Sequence, residues 1–187
     1  MEYRLATYND IDNVLELHKK YHIDTIKPED KADGFITTLL NTELLKELID
    51  QDGLVIAINN KLVVGFVMSA SWEYCSKWPM FQYMIGKLGE LEYLGQKLTT
   101  YNSYQYGPVC IDKKFRGTGV LEGLFEYARI IMNRKYPILV TFVNKMNPRS
   151  VSAHTKKLKL DIITEFEYNN KSYLELVYDT SKEFKNS

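Results

Sequence analysis

The chain has 187 residues, 45% hydrophobic and 26% charged, with 24 basic and 24 acidic side chains and a formal net charge of zero. A chain of this length buries a core as one domain over residues 1–187 without disulfide or metal staples, and its balanced charge excludes a basic surface for nucleic acid or anionic lipid. No apolar run approaches the roughly eighteen residues of a membrane span, and Met1-Glu2-Tyr3-Arg4 opens no signal-peptide core, so the expectation is a cytoplasmic protein with no nucleic-acid and no membrane partner.

Tyr3 to Thr7 reads as a first strand, and Asn9 or Asp10 caps a helix with Ile11, Val14, Leu15, His18 and Tyr21 on one face. Pro28 to Gly34 is a polar break. Leu39, Leu40, Leu44, Leu45 and Leu48 repeat at helical spacing, so a second helix is expected over Phe35–Ile49, closed by Gly53. Leu54 to Ile58 and Leu62 to Met68 are strands around the turn Asn59-Asn60-Lys61, the second reaching as far as Trp72. Residues 73–101 hold Trp78-Pro79, glycines and many aromatic rings, and read as a helical excursion with Pro79 at a first helical position.

Tyr104 to Ile111 is the next strand and Val120 to Arg134 a long helix. Ile138 to Val143 is an uninterrupted apolar run typical of a strand covered on both faces. Asn147-Pro148 opens a helix through Lys157, and Ile162–Tyr168 and Tyr173–Tyr178 close the chain as a hairpin around Asn169-Asn170. Cys75 and Cys110 form no metal-type pair and read as reduced structural thiols. His18 and His22, four apart on a helix, show no third ligand, so no metal is expected.

The chemistry concentrates in Val109 to Gly123, where an apolar strand passes through a basic, glycine-bearing loop into a helix. The first N–H groups of a helix lack internal partners and carry the positive end of its dipole, so they can bind an anion. Gly117 and Gly119 let the backbone approach it, and Arg116 adds a fork of charged donors suited to phosphate oxygens. A Walker A loop fails because no lysine follows Gly119 or Gly123, and a dinucleotide fingerprint fails because Glu122 stands where it needs glycine. A plain strand-to-helix turn is the alternative use of the glycine pair.

The pattern Arg-x-x-Gly-x after a strand resembles the pyrophosphate loop of the GNAT acetyltransferase superfamily, with Arg116, Gly117, Thr118, Gly119 and Val120 at matching positions and Leu121 where the family usually has glycine or alanine. The element order β-α-α-β-β-excursion-β-α-β-α-β-β is similar to that family across nearly the whole chain. The segment from Asn147-Pro148-Arg149-Ser150 to Lys157-Leu158-Lys159-Leu160 resembles its second cofactor segment, with Lys159-Leu160 in place of Gly-Phe.

The resemblance implies an α/β (α+β) GNAT fold: a mixed, mostly antiparallel sheet of six to seven strands flanked by about four helices. It implies acetyl-CoA as co-substrate, its pantetheine pairing with the backbone of Val109 and Ile111 and reached by Asn147, and its thioester carbonyl polarised by an N–H near Val109. An amine of a small molecule or peptide would attack that thioester directly. The strand offers Gln105 and Tyr106 where some members place a glutamate, which leaves Glu73 as the nearest candidate base; a solvated charge at a strand end is its other reading. The family's tyrosine acid falls on His154 when counted from Asn147 and on Thr155 when counted back from Lys157 to Leu160. His154 can exchange a proton near neutral pH or simply pack.

The resemblance makes residues 73–101 an acceptor-side insertion. Trp72, Tyr74, Trp78, Phe81, Tyr83 and Tyr93 would line a lid over the amine, or else serve as core and the surface of a homodimer. Two functions follow: an acetyl-CoA-dependent N-acetyltransferase, or a catalytically inactive CoA-binding regulatory or interaction module.

Overall fold

The computed structural model describes residues 1–184. In chain order the elements are β1 (Glu2–Leu5), α1 (Ile11–Tyr21), α2 (Thr42–Asp50), β2 (Leu54–Asn59), β3 (Leu62–Ala70), α3 (Trp72–Cys75), α4 (Pro79–Lys87), β4 (Glu92–Tyr93) and β5 (Gln96–Lys97). Then follow β6 (Ser103–Ile111), α5 (Val120–Met132), β7 (Ile138–Asn144), α6 (Pro148–Ser152) with a π turn over Ala153–Lys157, β8 (Asp161–Tyr168) and β9 (Lys171–Asp179). Seven strands form a mixed, mostly antiparallel sheet in the order β1-β2-β3-β6-β7-β9-β8, while β4 and β5 make a separate ribbon. Contacts cluster into two compact units: Met1–Ser69 with Gly107–Ala128, and Ala70–Tyr106 with the residues from Arg129 on.

In the first unit β1 and β2 pair antiparallel from Glu2↔Ile58 to Leu5↔Val55, and β2 pairs antiparallel with β3. The turn between β2 and β3 places Asn60 and Lys61 at φ of 48° and 68°, the left-handed pair that matches strand twist in a two-residue hairpin. Val14, Leu45, Leu48, Ile56, Phe66, Leu124 and Phe125 are fully buried. Asp10 is 8% exposed, and its carboxylate accepts from Arg4 Nη1 and Nη2 at 2.8 Å each and from Thr7 N at 2.7 Å. Those hydrogen bonds, led by Arg4, outweigh desolvation and hold the Asp10 carboxyl down at about 2.

In the second unit the first half of β6 runs parallel to β7 from Ser103↔Ile138 to Gln105↔Val140, and β9 pairs antiparallel with both β7 and β8. Asn169 and Asn170, at φ of 49° and 58°, turn the β8–β9 hairpin as their tolerance of the left-handed region predicts. Phe81 of α4 meets Phe142 of β7 edge-on at 5.9 Å, and the buried Trp72 donates Nε1–H to Ser103 Oγ at 2.9 Å. Trp72, Tyr74 and Phe81 are therefore core residues. The excursion also holds the β4–β5 ribbon, so it is not helical throughout.

The boundaries of α2 and β3 differ from those the sequence predicts for a reason visible in their caps. Helix α2 begins at Thr42, not Phe35, because Asn41 is extended (φ −139°) and its Oδ1 accepts from Leu44 N at 2.9 Å; cap chemistry overrides the longer leucine periodicity. Upstream, Ile36 bridges instead to the end of α1, where Ile23 N donates to Ile36 O at 2.9 Å. Strand β3 ends at Ala70, since Ser71 Oγ accepts from Tyr74 N and starts α3. At the end of α2, Asp52 and not Gly53 takes the left-handed position (φ 57°). Cys75 and Cys110 are buried and unbridged, and burial pushes the Cys110 thiol up to about 12.

Gly53 serves close approach: a Cβ there would lie 2.6 Å from the backbone oxygen of Ser69. Gly53→Ala should cost about 1–3 kcal/mol in urea unfolding, as overpacking against backbone does. Gly86→Ala, in open space on α4, should be neutral or stabilise by up to about 1 kcal/mol. Because the Asp10 pKa is lowered by folding, its contribution is complete above the unfolded value near 4 and disappears as pH falls toward 2. Unfolding free energy should drop by about 1–2 kcal/mol across that window, and the drop should shrink in Arg4→Met.

Candidate active site

The first unit holds Val109, Ile111 and the Arg116–Leu121 loop together. Asp112 N–H donates to Val64 O on β3 at 2.8 Å. Backbone groups alternate along a strand, so the N–H groups of Ile111 and Val109 point to the edge opposite β3. The ladder of β6 with β7 spans only Ser103 to Gln105, and Pro108 brings no N–H of its own.

After Ile111 the chain turns through Lys113–Phe115, and Asp112 Oδ1 caps that turn by accepting from Lys114 N at 3.0 Å. Gly117 and Gly119 adopt φ of 79° and 88°, a region L side chains rarely enter, and a Cβ on either would meet nothing within 4 Å. Both glycines are thus required by backbone conformation, with open space beside them. Helix α5 starts at Val120, and its first internal bond runs from Gly123 N to Gly119 O at 3.1 Å. The N–H groups of its first turn therefore precede the intrahelical ladder and carry the positive dipole end. Thr118 Oγ1 donates to Phe115 O at 2.7 Å, tightening the loop.

Three cations beside this turn, Arg116, Lys113 and Lys20, have fixed anchors. Arg116 Nε donates to Ile111 O at 2.9 Å, and its guanidinium lies 4.8 Å over the ring of Tyr21. The Tyr21 hydroxyl accepts from Lys113 N at 2.7 Å, so one buried tyrosine of α1 holds both ends of the basic segment. Lys113 pairs with Asp30 at 2.7 Å and Lys20 with Asp112 at 2.6 Å. Burial alone would raise the Asp112 carboxyl; the Lys20 and Lys114 hydrogen bonds outweigh it and hold the group low. Helical spacing places Tyr21 on the buried face of α1, and no local signal marks its second use as an anchor for Arg116 and Lys113.

Glu73, Asn147 and His154 belong to the second unit. Glu73 is exposed in the first turn of α3. Asn147 caps α6, its Oδ1 accepting from Ser150 N at 3.0 Å. His154 is half-buried in the π turn, with Nδ1 2.8 Å from Ser150 O. A carbonyl only accepts, so Nδ1 carries the hydrogen and Nε2 holds the lone pair. Desolvation lowers the His154 pKa against the opposing pull of that hydrogen bond. The neutral ring is thereby suited to accept a proton at Nε2. His154 and Thr155 both lie within this π turn, and Thr155 Oγ1 donates to Val151 O at 2.7 Å.

The second unit also contains a buried carboxylate. Glu175 of β9 is 3% exposed, and burial raises its carboxyl to about 7. Its sequence signal is an acidic residue inside the apolar run Leu174–Val177. Among the described residues, no three His, Cys, Asp or Glu side chains gather as a metal site, and no helix is long and apolar enough to cross a membrane.

No protein-family model and no curated protein matches the sequence. Solved structures do match over nearly the full length of both chains. An N-acetyltransferase from Staphylococcus aureus Mu50 is 15% identical, with TM-score 0.62 over 96% of this chain and 98% of its own. The Salmonella typhimurium protein yncA, solved with its cofactor acetyl-CoA, is 10% identical, with TM-score 0.63 over 100% of this chain and 98% of its own. A GNAT-family acetyltransferase from Streptococcus agalactiae 2603 is 15% identical, with TM-score 0.62 over 95% and 94%. With the seven-stranded order, the glycine loop at the start of α5 and these likenesses together, the chain has the fold of the GNAT acetyltransferases.

Proposed function

We propose that the protein is an N-acetyltransferase that takes its acetyl group from acetyl-CoA and delivers it to an amine of a small molecule or peptide. The observation that carries this reading is the turn from β6 into α5, where Gly117 and Gly119 sit at positive φ in open space before a 13-residue helix. When bound, acetyl-CoA supplies an activated thioester.

This chain's residues would do the remaining work. The N–H groups at the start of α5 and the Arg116 side chain suit a pyrophosphate, combining dipole, backbone donors and a fixed charge. The N–H groups of Val109 and Ile111, on the edge of β6 opposite β3, suit the amide-rich pantetheine arm, and the one at Val109 suits a developing oxyanion. Asn147 is a further candidate contact for that arm. A free amine is mostly protonated at neutral pH, so a proton must be removed before it attacks. His154 Nε2 and the exposed Glu73 carboxylate are the candidate acceptors. The acceptor amine is the partner this chemistry requires. We further propose that residues 1–187 act as one GNAT domain in the cytoplasm, with residues 73–101 on the acceptor side, and that a homodimer is the assembly to look for.

The test is free-thiol release from acetyl-CoA across a panel of primary amines, run beside calorimetry of acetyl-CoA binding. Arg116→Ala should weaken binding about 10- to 100-fold, the loss expected for one charge-assisted hydrogen-bond donor, and Arg116→Lys should fall between. Binding without thiol release for any amine would assign the CoA-binding regulatory or interaction module instead. No binding to the unmodified protein would overturn both readings.

A further inference from the structure

Within the second unit, a cavity of about 260 Å³ lies beside Glu175, lined by Tyr83, Met84 and Lys87 of α4 and by Thr164 and Phe166 of β8. Its size is at the small end for ligand sites. Glu175 stands directly across from Phe142 on β7 and from Thr164 on β8, so its carboxylate projects from the middle of the sheet face that α4 covers. It is 3% exposed, and Oε1 has no hydrogen-bond partner. A buried polar atom without a partner calls for an explanation, and a role in binding is one.

The surroundings indicate the sign of that ligand. Facing Glu175 from α4 and the turn after it are Tyr83, Lys87 and Glu90, and along β9 Tyr173; Glu165, opposite Leu174, points to the other face of the sheet. Lys87 is paired with Glu90 at 2.9 Å and Glu165 with Lys145 at 2.6 Å. Each charge at the rim thus has its opposite, and the carboxylate at the floor has no cation among the described residues. Tyr83 and Phe166, with ring centroids 5.8 Å apart, present aromatic surface to the same space. A carboxylate with aromatic faces around it is the arrangement that recognises an alkylammonium group.

We infer that this cavity binds a small primary ammonium ion carrying an apolar or aromatic body, with Glu175 as its counter-ion. The ammonium would donate to Oε1 and the body would lie against Tyr83 and Phe166. An amine is also the class of acceptor the proposed transfer requires, but binding is read here without acetyl-CoA, so either idea can fail alone.

Burial holds the Glu175 carboxyl up at about 7. It passes from mostly neutral at pH 6 to mostly ionised at pH 8, while an alkylammonium with pKa near 10 stays charged throughout. Attraction therefore grows as pH rises.

Calorimetry with butylamine, 2-phenylethylamine and 1,4-diaminobutane should find at least one that binds about tenfold more tightly at pH 8 than at pH 6. The matched alcohol, 1-butanol or 2-phenylethanol, should not compete. Glu175→Gln should lose the pH dependence and weaken binding at pH 8 by tenfold or more. In the unaltered protein, carbon NMR of the Glu175 carboxyl should show its titration midpoint fall when that amine is added, a readout that does not depend on the variant folding. No binding by any of the three amines, equal binding by amine and alcohol, or a Glu175 midpoint that does not move would each overturn the inference.

Discussion

Two residues with positive φ decide how β6 becomes α5. Without Gly117 and Gly119 the chain could not reverse within the few residues between Phe115 and Val120 and still start a helix there. That helix start is what places a row of backbone donors and a dipole end beside the basic segment. Because a Cβ on either glycine would meet nothing, the demand comes from the backbone alone.

The charges around that turn are arranged by burial as much as by sequence. Tyr21 is 3% exposed, yet it carries the Arg116 guanidinium on its ring and the Lys113 amide on its hydroxyl. Asp30 and Asp112 hold Lys113 and Lys20. The loop is thus preorganised from one side by a helix distant in sequence, and binding an anion there would not first have to order it. In the second unit the opposite condition holds at Glu175, where a carboxylate is buried with no compensating cation among the described residues and its protonation equilibrium moves toward neutrality.

Much of this was legible in the residues themselves. The α5 stripe of Leu124, Phe125 and Ala128, the Asn60-Lys61 and Asn169-Asn170 turns and the Pro79 helix start all follow from local stereochemistry, and all stand in the structure. The loop from Arg116 to Val120 was likewise marked by its glycines. Leucine spacing alone extends α2 back to Phe35, but Asn41 followed by Thr-Glu is itself a helix-start signal, and the cap decides the boundary. The uses of Tyr21 and Glu175 could not be read from local sequence: each depends on an element that meets it only after folding.

The most direct test of the central claim is backbone amide NMR of the protein titrated with CoA. The largest shifts should fall on Gly117 to Leu121 and on Val109 and Ile111, the amides at the α5 start and along the β6 edge. Saturable binding that leaves those amides unmoved while shifting others would contradict it.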